Sequence, residues 1–352
     1  FSKVDWDPQS KKLQMKPAEH TYRPVGTTWG SHEGERCDGN TSCVPICPIQ
    51  AKYNARKTLK SCKDKIKISC QSVVSKIVFD ESDKRRVKYI EYRQYKTDDG
   101  TQTATQKAEG TIYVLAANAI ENAVLLLASH ACPSLIGKEV LGHNLMDHAV
   151  LLTWGLASNK IFPFRGPLST TNIPTLRDGE FRISHGAWIS PISNQGWGWP
   201  ALSPNSDLAE AIKTKFGHEL KAELSDKVPC QLTLHFECEQ LPSKDNYVEI
   251  DEGKKIDGNY QPVIHYKIDQ YTLKTLKAAR EVSAKLFEAL KVDDHTNYKD
   301  PTQPGYLKDG EGGEYIIQGA GHLVGTHRMG DSKDNSVVNW EQKTWDHENL
   351  YL

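Results

Sequence analysis

Three cysteines lie within eleven residues of one short segment: Cys37, Cys43 and Cys47, the last followed directly by Pro48. Thiolates are soft ligands, so three of them converging from one loop can hold zinc or an iron–sulfur cluster. Zinc sites usually space their cysteines by two to four residues, and the gap of five residues between Cys37 and Cys43 fits that pattern poorly. Gly39 can adopt the left-handed conformations that a loop around an inorganic core requires. The spacing therefore favours an iron–sulfur cluster.

Three other interpretations of this loop stay open from the spacing alone. The cysteines are ordinary buried thiols, partners in disulfides, or ligands in a zinc loop that lacks its fourth ligand. A disulfide framework favours an even number of cysteines, and three in one loop is odd. The eight cysteines of the whole chain are also too few for a disulfide scaffold of 352 residues.

The second informative stretch is glycine-rich and surrounds His322, with Gly321 before it and Gly325 after it. Glycine lets a backbone approach a large planar ligand closely. An imidazole that titrates near neutral pH can accept a hydroxyl proton while a hydride leaves the same carbon. The alternative is a histidine that is only hydrogen-bonded within its loop. His327 and Arg328 follow, and they either bind a phosphate or are plain surface charge.

The glycine spacing of this stretch does not match a dinucleotide-binding fingerprint. Gly319, Gly321 and Gly325 give G-x-G-x-x-x-G, whereas the fingerprint is G-x-G-x-x-G. Only 22 residues follow Gly330, too few for the helix, strand and acidic ribose ligand that the fingerprint needs. The stretch is therefore not a primary nucleotide motif.

Length and composition bound the class of protein. A chain of 352 residues predicts about two domains. Lys and Arg number 44 against 45 Asp and Glu, and no basic stripe points to nucleic acid or to a membrane surface. A hydrophobic fraction of 38% and a charged fraction of 25% are typical of a globular protein with a core. No apolar run is long enough to span a bilayer.

Hydrophobic patterns predict the elements that position these stretches. An apolar run at 111–118 leads into a helix predicted over 120–130, the strand–helix unit of nucleotide-binding α/β sheets. Short strands at 66–68, 73–79 and 87–95 are predicted to form an antiparallel meander. Further strands are predicted at Val150–Leu156, Phe181–Ile189, Gln231–Glu239, Tyr247–Ile250 and Val263–Ile268. Two amphipathic helices are predicted from apolar residues at Leu208, Ile212, Phe216, Leu220 and Leu224, and at Leu273, Leu276, Val282, Leu286 and Leu290.

Taken together, these stretches resemble the glucose–methanol–choline (GMC) family of FAD-dependent oxidoreductases. More narrowly, they are similar to its bacterial sugar-dehydrogenase branch, whose catalytic subunits carry a 3Fe–4S cluster. The resemblance covers nearly the whole chain, and the cysteine loop and the H-x-x-G-T-x-R-M-G segment are its most specific parts. The stretches that carry it are Cys37–Pro48, Tyr113–Glu121, Gly142–His148, Phe236–Pro242 and His322–Gly330.

The resemblance implies two cofactors, FAD and a 3Fe–4S cluster, and assigns residues to them. It implies that Cys37, Cys43 and Cys47 are the cluster ligands and that His322 is the catalytic base, taking the hydroxyl proton while the flavin accepts the hydride. Electrons would then pass through the cluster to an external acceptor. The residues that it implies for FAD binding are Val74, Ala116, Ala117, Asn118, Asn144, Asp147, His148 and Asn349.

The implied fold is of mixed α+β and α/β class with two domains, a partial FAD-binding domain and a substrate domain with an antiparallel sheet backed by helices. The expected boundaries are 1–62 for an irregular segment with the cysteine loop, 63–148 for part of the FAD domain, 149–314 for the substrate domain and 315–352 for the return to the FAD domain. Expected partners are a small sugar or alcohol, a small helper subunit and a cytochrome c subunit. These partners imply a periplasmic or membrane-associated location, with the cytoplasm as the alternative.

The sequence also departs from the family pattern. Related dehydrogenases often have Asn just before the catalytic histidine, where this chain has Gly321. The G-x-G-x-x-G phosphate loop and the terminal segment with a second active-site His or Asn do not occur in these 352 residues, so the chain is expected to be a fragment of a longer protein. FAD binding without the phosphate loop would be weakened. Two rival functions are a GMC-type oxidase without a cluster and a non-catalytic iron–sulfur electron-transfer fragment.

Overall fold

A computed structural model describes most of the chain after residue 46. Before that point it describes the strands at 2–7, 12–17 and 21–22. From residue 47 onward the described residues are 47, 49–51, 53–96, 103–162, 169–173, 176–193, 213–256 and 258–352. Cys37 and Cys43 lie outside the described residues.

Seventeen described strands make up most of the regular structure. They are β1 Ser2–Asp7, β2 Lys12–Pro17, β3 Thr21–Tyr22, β4 Ser72–Phe79, β5 Val87–Tyr95, β6 Thr103–Ala108, β7 Tyr113–Val114, β8 Ala149–Ala157, β9 Ser169–Ile173, β10 Trp188–Ser193, β11 Gln231–Cys238, β12 Tyr247–Ile256, β13 Asn259–His265, β14 Val292–Asp294, β15 Tyr306–Lys308, β16 Glu314–Gly319 and β17 Leu350–Tyr351. The described α-helices are α1 Ala55–Cys62, α2 Ala119–Ala128, α3 Gly217–Lys227 and α4 Gln270–Leu290. None of these helices is both long enough and apolar enough to cross a bilayer.

Helix ends follow local chemistry. The Asn118 side chain accepts hydrogen bonds from two backbone N–H groups at the start of α2, and Asp269 caps α4 by accepting from Thr272 N at 2.6 Å. Such side-chain caps satisfy the free N–H groups of a first turn. Helix α4 ends at Lys291, which takes the left-handed conformation that commonly stops a helix.

The chain divides into two compact units. Unit 1 comprises Phe1–Lys63, His148–Gln240 and Asp269–Ala320, and unit 2 comprises Asp64–Asp147, Leu241–Ile268 and Gly321–Leu352. The predicted substrate domain, 149–314, also contained residues 241–268, which cluster with unit 2 instead. The reason is that the β12–β13 hairpin formed by those residues packs against α2.

Unit 1 is built on an antiparallel sheet with the strand order β15-β16-β8-β11-β10-β9-β3, and β14 also pairs with β8. Helix α4 lies on one face and buries Leu276, Val282 and Phe287. The Ser283 and Thr153 hydroxyls are 2.6 Å apart, which ties α4 to the same face of β8. This confirms the expectation of an antiparallel sheet backed by a helix.

Strand β11 alternates strictly between polar and apolar residues. Leu232, Leu234, Phe236 and Cys238 are buried, and Phe236 contacts Trp188 edge-to-face. The register pairs Leu234 with Thr153, which is the residue that reaches α4. Because side chains alternate across a strand, the polar residues of β11 all lie on the sheet face opposite α4.

Unit 2 contains three small sheets around α2. The first is the antiparallel meander β4-β5-β6, of which β4 and β5 were predicted, and the second is the β12–β13 hairpin. The third pairs β7 with β17 in parallel, so the chain runs from β7 directly into α2 as the apolar run predicts. The core between them includes the fully buried Ile77, Leu126 and Leu350.

Two predicted elements of unit 1 are wrong. Residues 181–189 are not one strand: a short 3-10 helix spans Glu180–Ile183, and β10 begins only at Trp188. The stripe starting at Leu208 does not give one buried face either, because α3 begins at Gly217 and leaves Phe216 85% exposed. Leu208 itself lies outside the described residues.

Candidate active site

The junction between β7 and α2 presents backbone at the carboxyl end of a parallel strand pair. Asn118 Oδ1 accepts from Ile120 N at 2.9 Å and from Glu121 N at 3.0 Å, so the helix starts immediately after the strand. Ala116 and Ala117 lie in this junction and are exposed. In open α/β sheets, ligands bind beyond the carboxyl ends of strands, beside helix N-termini.

A cavity of about 640 Å³ opens beside this junction within unit 2. Its walls come from β4, β5, the β7–α2 junction and the turn between β12 and β13, and its lining includes Val74, Ala116 and Ala117. Asn259 Nδ2 donates to Val74 O at 3.3 Å and links the hairpin turn to β4 at the cavity wall. The volume lies in the range of small-molecule and cofactor sites.

Asn122 of α2 connects this cavity wall to the glycine-rich segment. It is 5% exposed, accepts from Ala117 N at 3.3 Å and donates to Leu115 O at 3.2 Å. Its Nδ2 lies 3.4 Å from His327 Nε2. Burial lowers the pKa of His327 below its ordinary value, so the imidazole is neutral at pH 7. His327 is therefore a half-buried residue of unit 2 and not a plain surface charge. Arg328 donates from Nε to Asn335 O at 2.6 Å and closes a local turn.

The segment before His148 pairs with the segment around His322. Met146 N donates to Val324 O at 2.9 Å, and Val324 N donates back to Met146 O at 3.0 Å. Gly142 N donates to Thr326 O at 2.7 Å, which extends the pairing by a second contact. The Thr326 hydroxyl in turn donates to Ala119 O at 2.6 Å, so the paired segments are anchored to the first turn of α2.

This pairing depends on close backbone approach at Gly325. Gly325 has φ +102°, and a Cβ at this position would overlap the carbonyl oxygen of Asn144. Asn144 itself takes the left-handed conformation with φ 64° and is 5% exposed. Glycine is the residue that allows both the positive φ and the close approach.

Asp147 reaches the backbone of the predicted catalytic residue. Its Oδ2 accepts from Gly321 N at 3.0 Å, and its Oδ1 accepts from His322 N at 2.9 Å. The two oxygens of one carboxylate therefore hold two consecutive amides. His322 is exposed within unit 2.

The remaining predicted cofactor residues make structural contacts. His148 begins the next segment of unit 1, and its Nδ1 lies 3.2 Å from Cys238 O, which makes Nδ1 the protonated nitrogen. Asn349 is 4% exposed, and its amide donates to Val87 O at 3.0 Å and accepts from Val87 N at 2.8 Å. This pair of bonds imitates a strand pairing and joins the start of β17 to β5. Cofactor contact by these two residues stays a prediction.

Only the last cysteine of the predicted cluster loop lies within the described residues. Cys47 is half-buried, and its carbonyl accepts from Gln50 N at 3.1 Å and from Gln50 Nε2 at 2.9 Å. The loop therefore ends in a tight turn. Among the described residues there is no group of three or more His, Cys, Asp and Glu side chains that could hold a metal ion.

The polar face of β11 carries buried polar side chains that sequence reasoning did not single out. Gln231 and Thr233 are buried on it, and His235 Nε2 lies 3.7 Å from Glu237 Oε1. Neither amide atom of Gln231 has a hydrogen-bond partner within the described part of the chain. Buried polar groups without partners are costly and uncommon. The strict alternation of Gln231–Cys238 was the signal available in the sequence.

Part of the chain is similar to known proteins. Residues 242–352 match the family model described as GMC oxidoreductase. The large subunit of fructose dehydrogenase from Gluconobacter japonicus is 26% identical to the chain over 323 residues, covering 90% of this chain and 54% of that protein. The chain thus spans about half the length of this curated relative.

Solved structures show the same fold. A variant formate oxidase of Aspergillus oryzae RIB40 matches with a TM-score of 0.54 at 14% identity, covering 82% of this chain and 56% of that one. An FAD-dependent oxidoreductase from Chaetomium thermophilum matches with a TM-score of 0.51 at 15% identity, covering 86% of this chain and 59% of that one. These likenesses confirm the expected mixed fold with antiparallel sheets.

Replacing Gly325 by alanine should destabilise the protein more than replacing Gly137. Both glycines have positive φ, 102° and 74°, where an L-residue costs roughly 1–2 kcal/mol. A Cβ at Gly137 meets no described atom within 4 Å, whereas a Cβ at Gly325 overlaps the Asn144 carbonyl. Chemical denaturation of Gly325→Ala, Gly137→Ala and the parent protein measures the difference. Equal losses of unfolding free energy would contradict the importance of close approach at Gly325.

Proposed function

We propose that the protein is an FAD-dependent dehydrogenase that oxidises a hydroxyl group of a sugar or related alcohol, because residues 242–352 match the GMC oxidoreductase family model. The observation that carries this proposal is the fixed backbone of His322, held by Asp147 and by the pairing of Met146 with Val324. A general base must keep a defined position relative to the proton that it removes.

The residues of unit 2 fit a bound flavin cofactor in two respects. The cavity beside the β7–α2 junction exposes small side chains and backbone, which allows close approach of a ring system. Asn144 is 5% exposed, and its Nδ2 has no hydrogen-bond partner within the described residues. This buried N–H donor could therefore bond to a cofactor atom. Val74, Ala116 and Ala117 would form the apolar contacts, and Asn144 would supply a hydrogen bond.

The chemistry divides between the cofactor and the chain. When bound, FAD supplies the acceptor for the hydride. His322 accepts the proton of the substrate hydroxyl. Asn122 and His327 lock the β7–α2 junction to the glycine-rich segment, so that the segment carrying His322 is held against the first turn of α2.

Within this proposal we favour a substrate with several hydroxyl groups. The relative from Gluconobacter japonicus is described as a fructose dehydrogenase, which favours a sugar within this class.

The proposal includes a 3Fe–4S cluster held by Cys37, Cys43 and Cys47, which would supply one-electron transfer to an external acceptor. Its support is the cysteine spacing and the proline after the last cysteine. The description of the relative as a large subunit supports partner subunits, proposed here as a small helper subunit and a cytochrome c subunit. With such partners, the protein would work in the periplasm or at a membrane.

His322→Ala in the full-length protein should lower turnover by roughly 10²–10⁴-fold, because the hydroxyl proton then has no positioned acceptor. Turnover is measured with a dye acceptor and a sugar that the parent enzyme oxidises, together with flavin and iron content. Both contents should be unchanged. His265→Ala is the matched control, since His265 is a partly exposed histidine of unit 2 bonded to Glu249 on the β12–β13 hairpin. Unchanged turnover in His322→Ala would remove His322 from the base role.

Cys43→Ser should abolish the iron–sulfur signal, because a cluster with three ligands cannot lose one and remain intact. Iron content and the EPR spectrum of the oxidised full-length protein are measured after purification without oxygen. Cys70→Ser is the matched control, since Cys70 is an exposed free cysteine. Parent protein without iron or EPR signal would contradict the cluster and favour an enzyme that uses the flavin alone.

A further inference from the structure

Asp147 is placed to act on the backbone of His322. Its two carboxylate oxygens accept from Gly321 N at 3.0 Å and from His322 N at 2.9 Å. Hydrogen bonds from N–H groups to an ionised carboxylate are stronger than those between neutral groups. Two bonds from adjacent amides to one rigid group fix the orientation of the peptide between Gly321 and His322, and with it the direction in which the His322 side chain leaves the chain.

Gly321 itself adds no side-chain packing at this point. Gly321 has φ +74°, and a Cβ at its position would meet no described atom within 4 Å. Glycine without packing neighbours has the widest choice of conformations. The carboxylate of Asp147 therefore supplies the restraint that a packed side chain supplies elsewhere.

The turn that carries Asp147 is itself held by hydrogen bonds and packing. The preceding residue, Met146, exchanges two backbone hydrogen bonds with Val324, and Leu145 N donates to Asn246 O at 2.9 Å beside β12. Leu145 is 2% exposed and packs with Val124 of α2 and Val248 of β12. The turn that carries Asp147 is therefore held by α2, by β12 and by the glycine-rich segment together.

We infer that Asp147 is the positioning residue of the catalytic base: it orients His322 by holding the Gly321 and His322 amides, and it does not serve as a cofactor ligand. The inference rests on the proposed function, because it needs His322 to accept the substrate proton. It differs from the cofactor contact that the family resemblance implies for Asp147.

The test is a double-mutant cycle in the full-length protein, with Asp147→Ala, Asp147→Asn, His322→Ala and the double variant Asp147→Ala/His322→Ala. The rate of anaerobic flavin reduction by a sugar substrate should fall roughly ten- to hundredfold in Asp147→Ala, the loss typical of a catalytic group displaced by about 1 Å. Asp147→Asn keeps one acceptor oxygen, so its rate of flavin reduction should fall less than that of Asp147→Ala. In the His322→Ala background, Asp147→Ala should cause no further loss, since it acts only through His322.

A second readout does not depend on turnover. Hydrogen exchange followed by mass spectrometry should show faster exchange of the Gly321 and His322 amides in Asp147→Ala, with flavin content and the substrate concentration for half-maximal rate unchanged. Asp80→Asn is the matched control, because the Asp80 carboxylate of the same unit accepts from Ser82 N at 2.8 Å and Ser82 Oγ at 2.6 Å. It should change neither the reduction rate nor exchange at Gly321 and His322.

Three results would overturn the inference. Loss of flavin from Asp147→Ala would make Asp147 a cofactor ligand. If Asp147→Ala lowered the reduction rate equally in the parent protein and in His322→Ala, Asp147 would not act through His322. Unchanged hydrogen exchange of the Gly321 and His322 amides in Asp147→Ala would show that Asp147 does not restrain them. Wild-type reduction rates in His322→Ala alone would instead overturn the proposed function, a result independent of the exchange data.

Discussion

The backbone pairing between the 142–147 turn and the segment starting at Gly321 is the constraint on which the candidate site depends. Its bonds are few, namely the two-way exchange between Met146 and Val324 and the single bond from Gly142 N to Thr326 O. They form because Gly325 lets the two backbones come into contact. Thr326 then ties the pair to α2, so the position of His322 follows from the strand–helix unit that borders the cavity.

The two units place their buried polar side chains in different ways. In unit 1, β11 directs apolar residues toward α4 and polar residues toward the opposite face, so polar side chains are buried on one side of the strand. In unit 2, Asn122 and Asn349 use amide groups to complete hydrogen bonds that short strands cannot make for themselves. Buried amides of this kind are stable only when their partners are in place.

The elements that the sequence predicts well are those with a clear period. Strands β8 and β11 and helix α4 lie close to their predicted bounds, because alternation and an apolar stripe specify them locally. Residues 181–189 were wrongly predicted as one strand: Phe181, His185 and Trp188 stack on one another, with ring centroids 5.1 Å and 5.5 Å apart. Their spacing of four and three residues is that of a helical turn, which was visible in the sequence.

Much of the site was beyond prediction from the sequence for a physical reason. The residues that contact one another come from distant parts of the chain: Asn349 bonds Val87, and Asp147 bonds His322. Local patterns carry no information about such partners. The family resemblance assigned Asp147 and Asn349 to FAD binding, and their hydrogen bonds within the protein emerge only from the folded chain.

We propose that this chain belongs to a flavin enzyme that removes a hydride from a hydroxyl-bearing carbon. The most direct measurement is the absorbance of the full-length protein before and after anaerobic mixing with a panel of hexoses and simple alcohols. We expect a flavin spectrum that bleaches with at least one sugar, and FAD on extraction. Full-length protein that is folded but binds no flavin, or whose flavin is reduced by no member of the panel, would contradict the account.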